Sequence, residues 1–194
     1  MSLPPWRSPI ARALHRNRSR PYCRYLQLAT VDTTGKPANR TVVFRGFVDD
    51  CLQIVTDGRS HKTRELQAHP WAEACWYFTV TREQFRIAGA LTLVGPDAEG
   101  IVRQHAWQGL SPKARQQFYW PHPGHPREAA AEFSTEEQVS EQPPDSFWVL
   151  LLQAQKVDYL NLKGDPQDRR IYERICEPGT DNLTEAWRVS AVNP

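Results

Sequence analysis

Four short segments of this 194-residue chain carry residue types suited to holding a phosphorylated, planar ligand. Asn39-Arg-Thr-Val-Val-Phe-Arg-Gly46 frames a β-rich run with two arginines. An arginine's planar fork donates two parallel charged hydrogen bonds to a phosphate. Arg40 and Arg45 are five positions apart, so a flat strand points them to opposite faces. Both reach one ligand only if the strand bulges or the ligand wraps its end. Thr56-Asp-Gly-Arg-Ser-His-Lys62 links a predicted strand to a predicted helix. A helix start presents unpaired N–H groups and a positive dipole end, which attract anions. Ser60 adds a hydroxyl, Arg59 and Lys62 add cations, and Gly58 lets the backbone turn. In Arg82-Glu-Gln-Phe-Arg-Ile-Ala-Gly89, Gln84 offers both a donor and an acceptor, as an imide edge on a ring requires. Pro166-Gln-Asp-Arg-Arg170, with Tyr159 upstream, offers a cation that would favour the reduced, anionic form of a redox ring. Each segment alone has a plainer reading: surface arginines at strand ends, a capped helix with basic neighbours, a polar strand start, a charged turn.

Other chemistries lack their residues. His122 and His125 lie in a proline loop, without a carboxylate or cysteine at metal-ligand spacing, and His105 stands apart, so no metal site is expected. No Ser-His-Asp or Cys-His set can be ordered, and no GxSxG elbow occurs. No GxGxxG follows a strand and no P-loop pattern is present, which argues against a doubly wound parallel sheet.

The elements that must position these groups fit one domain spanning residues 1–194. A hydrophobic share of 40% and a charged share of 24% suit a chain with a core of its own. The longest apolar run, Phe147 to Leu152, is too short to span a bilayer, so no membrane role is expected. Cys23, Cys51, Cys75 and Cys176 are scattered, with no CxxC pair, and read as ordinary thiols in a reducing cytoplasm. The net charge of +2 is uneven. Six arginines, Arg7 to Arg24, precede the first acid, Asp32, leaving 18 basic against 22 acidic residues beyond them. Residues 1–20 read as a helix with a solvated basic face, capped by Ser8 and Pro9 and packed through Ile10, Ala13, Leu14 and Trp6. Nucleic-acid binding through this arm is the weaker reading, because no aromatic residues interleave with its arginines as a stacking platform needs.

Strands are predicted over Arg24–Asp32, Asn39–Val48 and Leu52–Thr56, joined by tight turns into a meander. A helix follows from Ser60 to His69, then strands over Ala74–Val80 and Glu83–Val94, with Gly89 marking a bulge or close backbone approach. Residues 96–145 form a helical insertion: helices from Pro96 to Trp107 and Ser111 to Phe118, a loop from Trp120 to Pro126, and a short helix at the capping-box spacing Ser134/Glu137. Strands are then predicted over Phe147–Gln153, Val157–Leu162, Arg170–Ile175 and Trp187–Val192. The pattern is mainly β, an antiparallel barrel or sandwich with inserted helices.

Taken together and in order, six segments resemble the pyridoxamine 5′-phosphate oxidase-like, FMN-binding split-barrel family, over about residues 22–192. They are Leu26-Gln-Leu-Ala-Thr-Val31, Arg40-Thr-Val-Val-Phe-Arg45, Val55-Thr-Asp-Gly-Arg-Ser-His-Lys62, Arg82-Glu-Gln-Phe-Arg-Ile87, Ser146-Phe-Trp148 and Pro166-Gln-Asp-Arg169. The sequence looks like a divergent, oxidase-related subfamily. The resemblance implies a six-stranded antiparallel split barrel with Greek-key order, flanked by helices, and a homodimer with FMN at the subunit interface. It implies phosphate contacts from Arg40 and Lys62, with Thr56, Ser60 and His61 in the phosphate loop. Val42 and Val43 match strand residues whose backbone lines the flavin, and Val55 lies in the matching segment. Gln84 matches the glutamine at the ring, Tyr159 stands where the oxidase has tryptophan, and Arg169 matches the arginine at the pyrimidine edge.

On the substrate side, Arg45 replaces a lysine, and Arg103, Ser111 and Arg115 are candidates for a helical Tyr, Arg and Ser cluster. Asp165 and Gln167 stand where the oxidase resembles Arg-x-His, and an acid there would repel a phosphorylated substrate. Two functions are therefore carried forward. One is an FMN-dependent oxidoreductase passing hydride from a small-molecule substrate to flavin N5. The other is an FMN-binding protein or flavin reductase without vitamin B6 oxidase activity.

Overall fold

The computed structural model describes residues 3–128, 133, 139–176 and 185–194. The first helix, α1 (Arg7–Asn17), seats Trp6, Ile10 and Ala13 in the core and leaves Arg12 and Arg16 in water. It starts one residue before the expected Ser8 cap. Trp6 occupies the N-cap position, and its indole, packed 6.3 Å from both Phe47 and Trp187, anchors that end in place of a side-chain cap.

The meander follows as predicted: β1 (Tyr25–Val31), β2 (Pro37–Val48) and β3 (Cys51–Asp57). After α2 (His61–Ala68), β4 (Trp71–Phe78) returns beside β1 and pairs with β5 (Glu83–Val94). A strand lying beside the first of three hairpin-joined strands is a Greek key. The long β6 (Phe147–Asn161) pairs with β5 on one side and, through its first half, with β3 on the other. That second pairing closes a six-stranded antiparallel barrel, with no edge left between β3 and β6. Beyond it, β7 (Asp168–Cys176) and β8 (Glu185–Val192) extend the sheet from the second half of β6. The interior holds Leu26, Leu28, Ile54, Trp76, Phe85, Ile87, Leu150 and Leu152, all fully buried.

Two expectations are corrected. The strands predicted over 147–153 and 157–162 are one strand. The polar Ala154–Lys156 stretch is a bulge, because Gly89 pairs with Ala154 and Lys156 with Ala88, leaving Gln155 unpaired. Gly89 is required there, since a Cβ would fall 1.9 Å from the Gln153 carbonyl oxygen. The helix expected from Pro96 begins only at α3 (Val102–Gln108). Gly100 at φ +96° stands in the left-handed region and stops a helix from running through it. A short α4 (Pro112–Gln116), capped by the Ser111 hydroxyl, runs into a 3₁₀ turn at Gln117–Tyr119. The helix expected at Ser134/Glu137 lies outside the described residues. The insertion has its own core: Trp107, Leu110 and Phe118 pack on Phe147 and Val149 of β6, with Val55 of β3 alongside. It therefore docks over the β3–β6 seam.

Candidate functional site

A cavity of about 840 Å³ opens between the β2–β3–α2 side of the barrel and the insertion. One wall carries Arg40, Thr41, Val42, Val43 and Arg45 from β2, Val55 to Asp57 from β3, and Lys62 from α2. The other carries Gln117 and Phe118, the loop from Trp120 to Pro126, Arg127, Glu128 and Phe133. The volume suits a cofactor-sized ligand.

The barrel wall is built locally. Trp148 lies over the turn into α2 so closely that a Cβ on Gly58 would meet its indole Nε1 at 2.2 Å. Only glycine lets the chain pass there. The turn brings the Lys62 ammonium to Thr56 Oγ1 at 2.7 Å and Ser60 Oγ at 3.1 Å. Among the described residues no carboxylate lies within ion-pair distance of Lys62. Burial, then the neighbouring Arg40, holds its pKa below the ordinary lysine value. An ammonium held by two hydroxyls beside another cation has the chemistry to seat an anion, and α2 adds the N–H groups of its first turn.

Arg40 is committed on its inner side. Its guanidinium donates to Glu65 Oε2 at 2.6 Å and to Thr30 Oγ1, and the Thr30 hydroxyl donates to the same Glu65 oxygen at 2.5 Å. Glu65, nearly buried in α2, was missed in the sequence. A helical carboxylate carries no signal that it will meet a strand arginine 25 positions earlier. Arg45 reaches the same cavity because β2 bulges between Phe44 and Gly46, one of the two conditions the sequence set. Partial desolvation, then the nearby Arg24, lowers its pKa.

The other predicted residues fall elsewhere. Ser60 stands behind Lys62, and His61 lies under the proline loop, where a Cβ on Gly124 would approach its Nε2 to 3.1 Å. Arg59, read as a phosphate cation, is bonded instead to Asp57 and to the Trp120 carbonyl. Arg103 donates to the Phe147, Pro143 and Pro144 carbonyls, and Arg115 to those of Trp107 and Gln108. Neither they nor Ser111 line the cavity.

Gln84, Tyr159 and Arg169 are also outside it. The register puts Tyr77, Gln84, Leu160 and Arg169 in one row across β4 to β7, on the outer face. There Arg169 holds Asp158 with both arms of its fork, at 3.0 and 2.7 Å. Tyr159 belongs to the opposite face. It packs 4.9 Å from Phe85, and its hydroxyl donates to Glu83 at 2.9 Å. Burial and Glu83 push its pKa well up, so it stays protonated. The residues of the insertion wall, above all Phe118, Trp120 and Arg127, were not legible, because their place depends on docking over a distant seam.

A closed six-stranded barrel with an anion seat between its third strand and next helix defines the FMN-binding split-barrel class. Residues 3–95 match the family described as pyridoxamine 5′-phosphate oxidase, FMN-binding domain. Over 98% of its length the chain is 38% identical to pyridoxine/pyridoxamine 5′-phosphate oxidase 2 of Arabidopsis thaliana, covering 97% of that protein. It is 29% identical over 88% of its length to a dihydrophenazinedicarboxylate synthase of Pseudomonas chlororaphis, covering 75% of it. A solved structure of a pyridoxamine 5′-phosphate oxidase-related, FMN binding protein from Nostoc punctiforme is 47% identical, with both chains covered in full and a TM-score of 0.88. The chain belongs to the pyridoxamine 5′-phosphate oxidase family and carries its FMN-binding domain.

The residues present fit that cofactor. Lys62, steadied by Ser60, and Thr56 supply donors for a phosphate, and Val42, Val43, Val55 and Phe118 supply apolar surface for a ring.

Proposed function

We propose that this chain is an FMN-dependent oxidoreductase acting on a small, planar, anionic substrate as a cytoplasmic homodimer. When bound, FMN supplies the hydride acceptor. The protein's own part is to bind and orient. Lys62, Thr56 and Arg40 hold the phosphate, with Ser60 steadying Lys62 from behind, and the valines of β2 and β3 flank the ring. Arg45, a cation on the cavity wall without a carboxylate partner among the described residues, takes the substrate's anionic group. The observation that carries this reading is the Lys62 seat, a half-buried ammonium bonded to two hydroxyls, with no carboxylate within ion-pair distance among the described residues. The names of the relatives share one ligand chemistry, since the substrate named by one, pyridoxamine 5′-phosphate, and the product named by the other, a dihydrophenazine dicarboxylate, are both anionic nitrogen heterocycles.

Placement, taken with the ring roles the resemblance implies for Gln84 and Arg169, supports the homodimer. Gln84 and Arg169 lie on the outer face, so one chain does not bring them to the cavity that Arg40 and Lys62 line. A second copy can deliver them to it. The outer face has the character of a covered one: Tyr25, Trp71 and Tyr77 are 47%, 58% and 41% exposed there. A second reading is FMN binding without vitamin B6 turnover. It is favoured by Asp165 and Gln167, which stand in the Asp165–Arg170 segment where the resemblance places substrate-side cations.

The test is an absorbance spectrum of the purified protein, then anaerobic mixing with pyridoxamine 5′-phosphate. A flavin spectrum that bleaches supports the oxidase, and one that stays yellow supports the second reading. A protein that takes up no FMN at all overturns both.

A further inference from the structure

The insertion wall of the cavity poses a mechanical problem. Trp120-Pro-His-Pro-Gly-His-Pro126 contains three prolines, so it has few amide donors and no ladder to hold its shape. Its one internal backbone bond is long, from the His125 N–H to the His122 carbonyl at 3.4 Å. Yet it presents a defined surface. The His122 and His125 rings stack at 3.9 Å and 18°, and the His122 Nδ1–H donates to the Pro123 carbonyl at 2.9 Å. Something outside the loop must fix it.

Arg59 supplies the fixing. Its Nε donates to Asp57 Oδ1 at 3.0 Å and one terminal nitrogen to Asp57 Oδ2 at 2.7 Å. The same terminal nitrogen donates to the Trp120 carbonyl at 2.9 Å, 61 positions along the chain. Asp57 is itself fixed, accepting the Arg59 backbone N–H at 2.8 Å, while its carbonyl accepts from the Ser60 N–H at 3.1 Å. The guanidinium is thus a rigid bracket between the phosphate turn and the first residue of the loop. Gly124, at φ +82° against His61, gives the loop a second point of contact with α2. The bonds from Lys62 to Thr56 and Ser60 do not involve Arg59.

We propose that Arg59 is a positioning residue, and that through it the turn seating the nucleotide phosphate also fixes the Trp120–Pro126 loop as the substrate-selecting wall of the cavity. This rests on the FMN reading for what fills the space between the walls. Arg59 touches neither cofactor nor substrate. It acts through the Trp120 carbonyl, and only a planar fork spans Asp57 and that carbonyl together. A shift of about 1 Å in such a wall can cost up to roughly 100-fold in kcat/KM.

The test compares Arg59→Met and Arg59→Lys with the parent protein in three measurements. Hydrogen exchange at the His125 N–H, which makes the loop's backbone bond, should speed up by about tenfold or more in both variants, and exchange across α2 should not. FMN affinity, from quenching of flavin fluorescence, should change by less than about threefold. The KM for pyridoxamine 5′-phosphate should rise by about tenfold with a smaller fall in kcat. Asp57→Asn, which keeps an acceptor for the turn but weakens the fork, should shift all three the same way by less. The proposal is overturned if loop exchange is unchanged, if Arg59→Lys restores the parent values, or if FMN affinity falls with loop order, since Arg59 would then be a phosphate ligand. If the parent protein binds no FMN, the cofactor reading fails alone, and the exchange measurement on the ligand-free protein still decides the bracket.

Discussion

The two walls of the cavity are held by opposite means. On the barrel side, Thr56, Ser60 and Lys62 lie within seven residues and bond to one another across a strand, a turn and a helix start. On the insertion side, the loop from Trp120 to Pro126 has almost no bonds of its own and depends on Arg59 and on the docking of Phe118 and Trp107 against Phe147. The first wall supplies charge and the second supplies shape. Charge can be set by a short segment, because a seat for an anion needs only a few donors pointing one way. Shape needs distant parts of the chain to agree.

The largest expected effect breaks the first wall. Lys62→Met removes the ammonium and keeps the stem. One charge-assisted hydrogen bond contributes about 1.5–3 kcal/mol, so FMN affinity should fall roughly 10- to 100-fold. His122→Ala, on the second wall, should change FMN affinity by less than about threefold while altering the KM for substrate. Fluorescence titration of both variants checks the contrast. Equal losses of FMN affinity would erase the distinction between the walls.

A second prediction sharpens how tightly the first wall is built. Gly58→Ala places a Cβ 2.2 Å from the Trp148 indole, and Trp148 also covers Gly95, where a Cβ would lie 2.8 Å away. The ring is therefore hemmed on two sides, and its Nε1 is tied to the Asp145 carbonyl at 3.0 Å. Overpacking of this kind costs about 1–3 kcal/mol. Thermal unfolding without ligand should show a lowered Tm, and FMN should recover less than the full difference, because the turn carrying Ser60 is displaced. An unchanged Tm would mean that Trp148 moves aside freely.

The same contrast explains what the sequence made legible. The gathering of Thr56, Ser60 and Lys62 was readable because Thr56 to Lys62 is contiguous and its residue types state their chemistry. Gly89 was readable as a bulge because a glycine inside an alternating strand has few other uses. Arg59 was not. Its type suits phosphate, and only the fold shows that Asp57 and the Trp120 carbonyl have claimed its donors. Glu65 was silent for the same reason. The outer row was half legible: Gln84 and Arg169 were singled out together, and register puts them on one face. Tyr159 was grouped with them, yet the pairing of Phe85 with Tyr159 and Gln84 with Leu160 sends it to the core side. Which face a strand residue takes depends on its partner's register, and the bulge at Gln155 shifts that register where single-strand counting cannot see it. The division of β6 into two strands failed at the same bulge.

The smallest expected effect is a pH dependence, and it probes whether the first wall is an anion seat at all. In the ligand-free protein, burial and Arg40 lower the pKa of Lys62 from its ordinary value of 10.5. The unfolded chain therefore keeps this proton to higher pH than the folded one, and between the two values stability rises with pH. A bound phosphate supplies a close counter-charge and raises the pKa of Lys62 again. FMN binding then takes up a proton in this window, so affinity should fall as pH rises through the ligand-free value of Lys62, by at most about tenfold per pH unit for one proton. Fluorescence titrations from about pH 7 to 10 measure the slope. In Lys62→Met the slope should vanish, because the group that takes up the proton is gone. A slope that survives in the variant would place the titrating group elsewhere and remove Lys62 from the seat.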